Sequence, residues 1–264
     1  MAKRITTKEL IEILDRKSTF QTDIGSLMDI ASKNKILLHV LRALNIQGSM
    51  REAQETYMRR ITEVVKILSK LLRGYDYAFF KFFKPVSYVP ADIDLLVNPS
   101  QVRKAARMII KLGYRVAVKD PYCITLTKRG SIIDLYVHPS LGGVAFINGQ
   151  RLLEHACTAE FNGTEVRSLE SYAEALVVAS HAIYKERIYT LNDFFTIEKW
   201  ASRETMRLAQ ELDCESALKV AINLNRKIRL GALETPYRIP IASWLTMLMQ
   251  KFQNDTLTRA TSVN

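Results

Sequence analysis

The sequence predicts an α+β fold, in which a mixed β-sheet with packed helices is preceded and followed by helical segments. Apolar residues recur at helical spacing from about residue 26 to residue 74. From Tyr75 the period changes, and short stretches rich in β-branched and aromatic residues alternate with Pro, Gly and Asp. From about Leu169 the helical period returns. These changes predict a helical N-terminal region over residues 1–74, an α/β core over 75–167 and a helical C-terminal region over 168–264.

Within these regions the local patterns predict individual elements. The N-terminal region contains two long helical patterns, broken at NIQGS and ended at Gly74. In the core, NPSQVRKAARMIIKLGY predicts a helix that ends at Gly113, and FNGTEVRSL predicts a further strand. ESYAEALVVASHAIYKERIY predicts one continuous helix at the start of the C-terminal region. The other predicted strands of the core cover residues 77–83, 92–97, 114–118, 123–127 and 131–138.

Composition favours a globular protein with an anionic partner. The chain is 48% hydrophobic and 25% charged, which excludes a disordered or fibrous protein. Its 38 Lys and Arg against 27 Asp and Glu give a net charge of +11, which favours a nucleotide, RNA or an anionic surface as partner. The three cysteines lack a CxxC pair, and we expect them to be reduced. No secretory signal or membrane-spanning segment is evident, so a cytoplasmic protein without a membrane partner is expected.

Three aspartates interrupt apolar strands and are the candidate catalytic residues. Asp92 and Asp94 lie two apart in DIDLLV and therefore point to one face, while Ile93 and Leu95 point to the other. Asp134 interrupts a second apolar strand, SIIDLYVH. Like charges about 6 Å apart repel by roughly 3 kcal/mol at an effective dielectric near 20, so a cation is expected beside them. We expect all three to be ligands of Mg²⁺ or Mn²⁺, with Asp134 also a candidate general base; the alternative is that they end strands and face water.

The order of strands and helices around these aspartates resembles the nucleotidyltransferase superfamily related to DNA polymerase beta. The similarity covers about residues 75–140 well, and it is greatest to an uncharacterised prokaryotic branch. The resemblance implies transfer of a nucleoside monophosphate from an NTP, ATP for example, to an acceptor. It also implies that Asp92, Asp94 and Asp134 hold the metal.

The sequence departs from the family pattern in the segment that is expected to bind the triphosphate. Members of the superfamily usually carry a Gly-Ser or Gly-Gly pair before the first aspartate, whereas this chain has AFFKFFKPVSYVP without a glycine. Lys81, Lys84 and Ser87 are the polar substitutes, and we expect one of the lysines to contact phosphate as a point charge. The alternative is that both lysines are solvated and protect a strand edge from pairing.

Further nucleotide-binding candidates lie in the second half of the chain. His181 and Lys185 are four residues apart and share a helical face with Tyr184, so that this face could cover a nucleotide. His181 could equally be a core residue bonded to Asp193, for which the pattern predicts helix capping.

Two functions follow from these patterns. The first is a metal-dependent nucleotidyltransferase acting on an unidentified acceptor, such as tRNA, another RNA, a protein or a small molecule. The second is a catalytically silent nucleotide- or RNA-binding module with the same fold. The apolar stretch IPIASWLTMLMQKF is either a core helix or an oligomer interface, and the sequence leaves the oligomeric state open.

Overall fold

The computed structural model describes residues 5–16 and 23–262. Residues 1–4 and 17–22 of the predicted N-terminal region, and 263–264 of the C-terminal region, lie outside the described residues. Helical elements precede and follow a sheet-forming segment, so that the predicted mixed α+β architecture is confirmed.

Four helices form the described N-terminal part. A single helix is predicted over much of the first pattern, but the structure divides it at Asn34 and Lys35, because Lys35 adopts a left-handed conformation with φ of 58°. The Asn34 side chain donates to the carbonyl of Ile30 (3.0 Å), which ends the preceding helix. The helices are α1 (Thr7–Arg16), α2 (Ile24–Lys33), α3 (Leu37–Ala43) and α4 (Ser49–Leu71).

A seven-stranded mixed sheet lies at the centre of the described residues, in the order β3-β4-β5-β2-β1-β9-β8. β2 pairs in parallel with β5, and β1 pairs in parallel with β9, whereas the other neighbours are antiparallel. The strands β6 and β7 form a separate hairpin. In chain order, the elements of this part of the chain are β1 (Tyr77–Phe79), β2 (Ile93–Val97), α5 (Val102–Lys111), β3 (Arg115–Asp120), β4 (Cys123–Lys128), β5 (Ser131–Tyr136), β6 (Ser140–Leu141), β7 (Val144–Ala145), α6 (Gly149–Leu153), β8 (Ala156–Phe161) and β9 (Thr164–Leu169).

Two predicted strands differ from the structure. The strand predicted over residues 77–83 ends at Phe79, because Lys81 has a φ of 58° and turns the chain out of the sheet. The single strand predicted around FNGTEVRSL is a hairpin of two strands, turning at Asn162 and Gly163 with positive φ at both residues.

The helix predicted over residues 170–189 is interrupted in the structure. It begins as α7 (Ser171–Ser180), continues as a π-helical turn (His181–Glu186) and ends at Arg187. The later elements are β10 (Ile188–Tyr189), α8 (Leu191–Trp200), α9 (Arg203–Glu211), α10 (Glu215–Arg229), β11 (Tyr237–Arg238), α11 (Ile241–Asn254) and α12 (Thr256–Ser262).

The sheet separates two hydrophobic cores. One core packs α4 and α5 against the face that carries Ile93, Leu95 and Ile133. The other core joins residues of α1–α3 to residues of α7–α11 on the opposite face, next to Leu96 and Tyr136. The N-terminal helices are thus divided between both faces, while the boundaries at residues 74 and 167 stay predictions. In the described part of the chain, no helix has the length and apolar character that crossing a bilayer requires.

A buried lysine ties α11 to the α9–α10 connection. Lys251 is 2% exposed, donates to the carbonyls of Leu212 (2.9 Å) and Asp213 (3.0 Å), and pairs with Asp255 at 2.6 Å. Removal of one partner of a buried ion pair leaves the other charge uncompensated and costs about 3–5 kcal/mol.

We therefore expect Lys251→Ala to lower the free energy of unfolding by about 3–5 kcal/mol, measured by urea denaturation. The matched control is Lys219→Ala, because Lys219 forms an exposed pair with Glu215 on α10. That change should cost at most about 0.5 kcal/mol. Equal effects of the two substitutions on the free energy of unfolding would contradict a stabilising role for the buried Lys251.

Candidate functional site

The three predicted aspartates lie together, two at the start of β2 and one within the neighbouring strand β5. Asp92 immediately precedes β2, Asp94 is its second residue, and Asp134 lies on β5. The parallel register places Asp94 directly opposite Asp134. Each aspartate offers a carboxylate oxygen, and these oxygens lie within 4.8 Å of one another.

Burial and a lysine set the charge state of Asp94. Its Oδ2 lies 3.0 Å from the ammonium of Lys81, while its buried Oδ1 has no hydrogen-bond partner among the described residues. Burial raises the pKa of Asp94 to about 7, although Lys81 counteracts part of this shift. Burial alone would lower the pKa of Lys81, but Asp94 and Asp92 reverse that effect and raise it. Lys81 is therefore the internal cation that the repulsion between the aspartates demands.

Asp134 has a different environment from Asp94. It is half-buried, and the hydroxyl of Thr125 on β4 donates to its Oδ1 at 2.6 Å. Burial raises the pKa of Asp134, and the hydrogen bond from Thr125 opposes this shift. Thr125 thus fixes the orientation of the Asp134 carboxylate.

Tyr136 connects the sheet to the π-helical turn. The ammonium of Lys81 lies 5.1 Å from the centroid of its ring, and that of Lys185 lies 5.4 Å from it. Lys185 also donates to the Tyr136 hydroxyl at 3.0 Å. Two ammonium groups are thus held beside the same ring.

The π-helical turn also positions His181. In such a turn residues five apart share a side, and Nε2 of His181 lies 3.5 Å from Oε1 of Glu186. Burial, followed by the charges of Lys81 and Lys185, lowers the pKa of His181 well below its ordinary value. His181 is therefore a neutral imidazole. Its predicted alternative partner, Asp193, instead accepts from the backbone N–H and hydroxyl of Thr190, so the predicted capping role is confirmed.

Lys84 is half-buried beside an acidic residue of the core. Among the described residues it has no ion pair within 4.0 Å, and burial lowers its pKa. Glu174 on α7 is fully buried, and neither of its carboxylate oxygens has a well-formed hydrogen bond in the described structure. Burial raises the pKa of Glu174 to about 7, with Lys84 as the main opposing charge.

A cavity of about 400 Å³ brings most of the predicted site residues together. Ser87 is not among the described lining residues, since its hydroxyl contacts Arg42, which also pairs with Glu55. Asp134 adjoins the cavity through its neighbours Asp92 and Asp94. The predicted residues that line the cavity are Lys81, Lys84, Asp92, Asp94, His181 and Lys185.

Several residues of the site carry no signal in the local sequence pattern. Lys35 reaches the cavity because the chain turns between α2 and α3, and Asn192 because α8 begins against that turn. Tyr88 lines the same cavity from the loop before β2. Thr125 could have been found from the register of the β4–β5 hairpin, since it pairs directly with Asp134.

The carboxylate set fits a divalent cation. Three carboxylates supply hard oxygen ligands of the kind that Mg²⁺ and Mn²⁺ prefer. The buried, unpartnered Oδ1 of Asp94 is an acceptor that such an ion would satisfy. Asp92, Asp94 and Asp134 are the residues that could hold it. His138 is not part of the set, because its Nδ1 accepts from the backbone N–H of Gly149.

Two solved structures resemble the chain weakly. The crystal structure of ANT(2″)-Ia in complex with adenylyl-2″-tobramycin has a TM-score of 0.37 and 16% identity, over 64% of this chain and 98% of that chain. The solution structure of the antibiotic-resistance factor ANT(2″)-Ia has a TM-score of 0.35 and 15% identity, over 68% and 95% of the two chains. Likeness at this level carries no argument about the substrate of this chain. No curated protein matches the sequence.

A family model provides the assignment. The model describes an uncharacterised nucleotidyltransferase and matches residues 89–229, more than half of the chain. The matched segment contains all three aspartates and the π-helical turn, and it overlaps the predicted resemblance from residue 89 onward, whereas Lys81 and Lys84 precede it. This chain belongs to that family of uncharacterised nucleotidyltransferases.

Proposed function

We propose that this protein is a Mg²⁺- or Mn²⁺-dependent nucleotidyltransferase that moves a nucleoside monophosphate from an NTP, such as ATP, to an acceptor. The observation that carries this proposal is the meeting of Asp92, Asp94 and Asp134, with oxygens within 4.8 Å of one another, at a cavity that also contains lysines. A bound divalent ion would neutralise the triphosphate and stabilise the charge that develops during transfer.

In the proposed reaction the acceptor oxygen forms a bond to the α-phosphorus, and the bond from that phosphorus to pyrophosphate breaks. Asp134 accepts the proton that the acceptor hydroxyl loses. Its carboxylate is oriented by Thr125, whose hydroxyl donates a hydrogen bond to Oδ1. Asp92, Asp94 and Asp134 would together hold the cation, and Asp134 is in addition the group that takes the proton.

Lysines replace the missing glycine pair in this proposal. Lys81 is already paired with Asp94, whereas Lys84 lines the cavity without an ion pair of its own in the described structure. Lys84 is therefore the better placed of the two to bind a phosphate as a point charge, with Lys185 contributing from the π-helical turn. His181, being neutral, takes part as a hydrogen-bonding group.

One observation favours the silent binding module as a second candidate. The ammonium of Lys81 already neutralises Asp94 at 3.0 Å, so the carboxylates have a partial counterion without a metal. Metal binding distinguishes the two candidates. In a silent module the ammonium of Lys81 would be the permanent counterion of the aspartates, and no divalent ion would be expected to bind them.

We expect Asp94→Asn and Asp134→Asn to weaken Mn²⁺ binding by at least about tenfold, measured as free Mn²⁺ by electron paramagnetic resonance. The control is Asp120→Asn, since Asp120 lies on the exposed edge strand β3 and should leave binding unchanged. In host extract with each labelled NTP in turn, wild-type protein should label an RNA, a protein or a small molecule. The two variants should slow labelling by about 10²-fold or more. A wild-type protein that binds no Mn²⁺ at these aspartates and labels no acceptor would contradict the proposed enzyme and favour the silent module.

We also expect His181 to stay neutral from pH 8 to pH 6. Ring ¹⁵N chemical shifts, assigned with His181→Gln, should show no protonation in this range, although an ordinary imidazole with a pKa near 6.5 is mostly protonated at pH 6. Because the charge of Lys35 contributes to this shift, Lys35→Met should raise the pKa of His181, whereas Lys119→Met on the exposed strand β3 should not. Titration of His181 near pH 6.5 in the wild type would contradict its assignment as a neutral group.

A further inference from the structure

Asn192 contains a buried acceptor that the protein leaves unsatisfied. The residue is 3% exposed and lines the cavity, yet its Oδ1 has no hydrogen-bond partner among the described residues. Its Nδ2 donates to the backbone carbonyl of Lys35 at 3.3 Å, which fixes the orientation of the amide group. A buried acceptor without a partner is costly, so a ligand with an N–H or O–H donor is expected at this position.

The N-terminus of α8 is not available as a phosphate site. The first backbone N–H groups of α8 already have partners: that of Leu191 donates to Asn34 Oδ1 at 3.0 Å, and that of Asn192 to the Asn34 carbonyl at 3.3 Å. The next, from Asp193, donates to the Thr190 hydroxyl at 3.4 Å. The helix end therefore offers an anion no free amide, and the carboxylate of Asp193 lines the cavity beside it.

Apolar surfaces accompany Asn192. Leu37 and Leu38 line the cavity from the first turn of α3, directly after the Lys35 carbonyl that Asn192 contacts, and Val178 does so from α7. Tyr88 adds an aromatic ring. Apolar walls, an aromatic ring and a neutral acceptor are features of a nucleobase site, because bases stack on apolar faces and hydrogen-bond at their edges.

We propose that Asn192 Oδ1 accepts a hydrogen bond from the exocyclic amine at C6 of adenine or C4 of cytosine in the donor nucleotide, and that the site therefore selects one of these bases. The inference rests on the proposed function, which places the triphosphate at the aspartates and lysines. Guanine and uracil carry a carbonyl oxygen at the corresponding positions, which would repel Oδ1.

The wild-type protein tests this without any substitution. Binding is measured in Mg²⁺, without acceptor, by displacement of a fluorescent nucleotide. ATP should bind at least about tenfold more tightly than purine riboside triphosphate, which lacks only the amine, or CTP should exceed UTP by the same factor. The pair that shows the difference identifies the base. Equal affinities within both pairs would overturn the inference.

A substitution assigns the preference to Asn192. Asn192→Leu should bring the affinities of the preferred pair to within about twofold, whereas Asn223→Leu, on the exposed face of α10, should leave the preference intact. Asn192→Leu that retains the preference would overturn the inference. The inference would also be overturned if Asn192→Leu lost only the preference for ATP over 2′-deoxy-ATP. The partner of Asn192 Oδ1 would then be a ribose hydroxyl and not the base.

Failure of this inference can be distinguished from failure of the proposed function. If the wild type binds no NTP in Mg²⁺, the proposed function fails, and the base preference fails with it. If NTPs bind with an affinity that depends on Asp94, but the amine makes no difference, only the base preference is wrong.

Discussion

The parallel pairing of β2 with β5 is the constraint on which the site depends. It places Asp94 opposite Asp134, and the loop before β2 adds Asp92. Three partly or fully buried carboxylates therefore meet beside the start of β2. At separations below 4.8 Å, two such charges repel by about 3 kcal/mol or more at an effective dielectric near 20. The chain compensates with the ammonium of Lys81, whose left-handed backbone ends β1 and directs the chain away from the sheet. Lys81 therefore both ends β1 and supplies the positive charge beside Asp94.

The remaining walls of the site come from helices distant in sequence. The turn between α2 and α3 packs on the start of α8, where Asn34 satisfies the amide of Leu191 and Asn192 contacts the Lys35 carbonyl. The π-helical turn after α7 completes the enclosure, holding Lys185 against Tyr136. The N-terminal part of the chain thus lines the cavity, and the charge of Lys35, in the turn between α2 and α3, helps to lower the pKa of His181.

The aspartates could be predicted from the sequence because polar residues in apolar, alternating stretches stand out, and their two-residue spacing fixes the face. The pairing that brings Asp134 to them could not, since local patterns do not define which strands are neighbours. Lys35 and Asn192 carry no such signal, because only tertiary packing places them at the cavity. The interruption of the helix after Ser180 carries none either, because its residues are compatible with an ordinary α-helix. Which of Lys81 and Lys84 forms an ion pair likewise depends on the tertiary contact with Asp94.

Crystals grown with Mn²⁺ and a non-hydrolysable NTP analogue, and measured at the manganese absorption edge, test most directly whether the three carboxylates form a divalent cation site for nucleotide transfer. We expect an anomalous peak within about 2.5 Å of an oxygen from each of Asp92, Asp94 and Asp134, with the triphosphate on the lysine side of that peak. Bound nucleotide with no peak at these carboxylates, and Lys81 still paired with Asp94, would contradict this expectation.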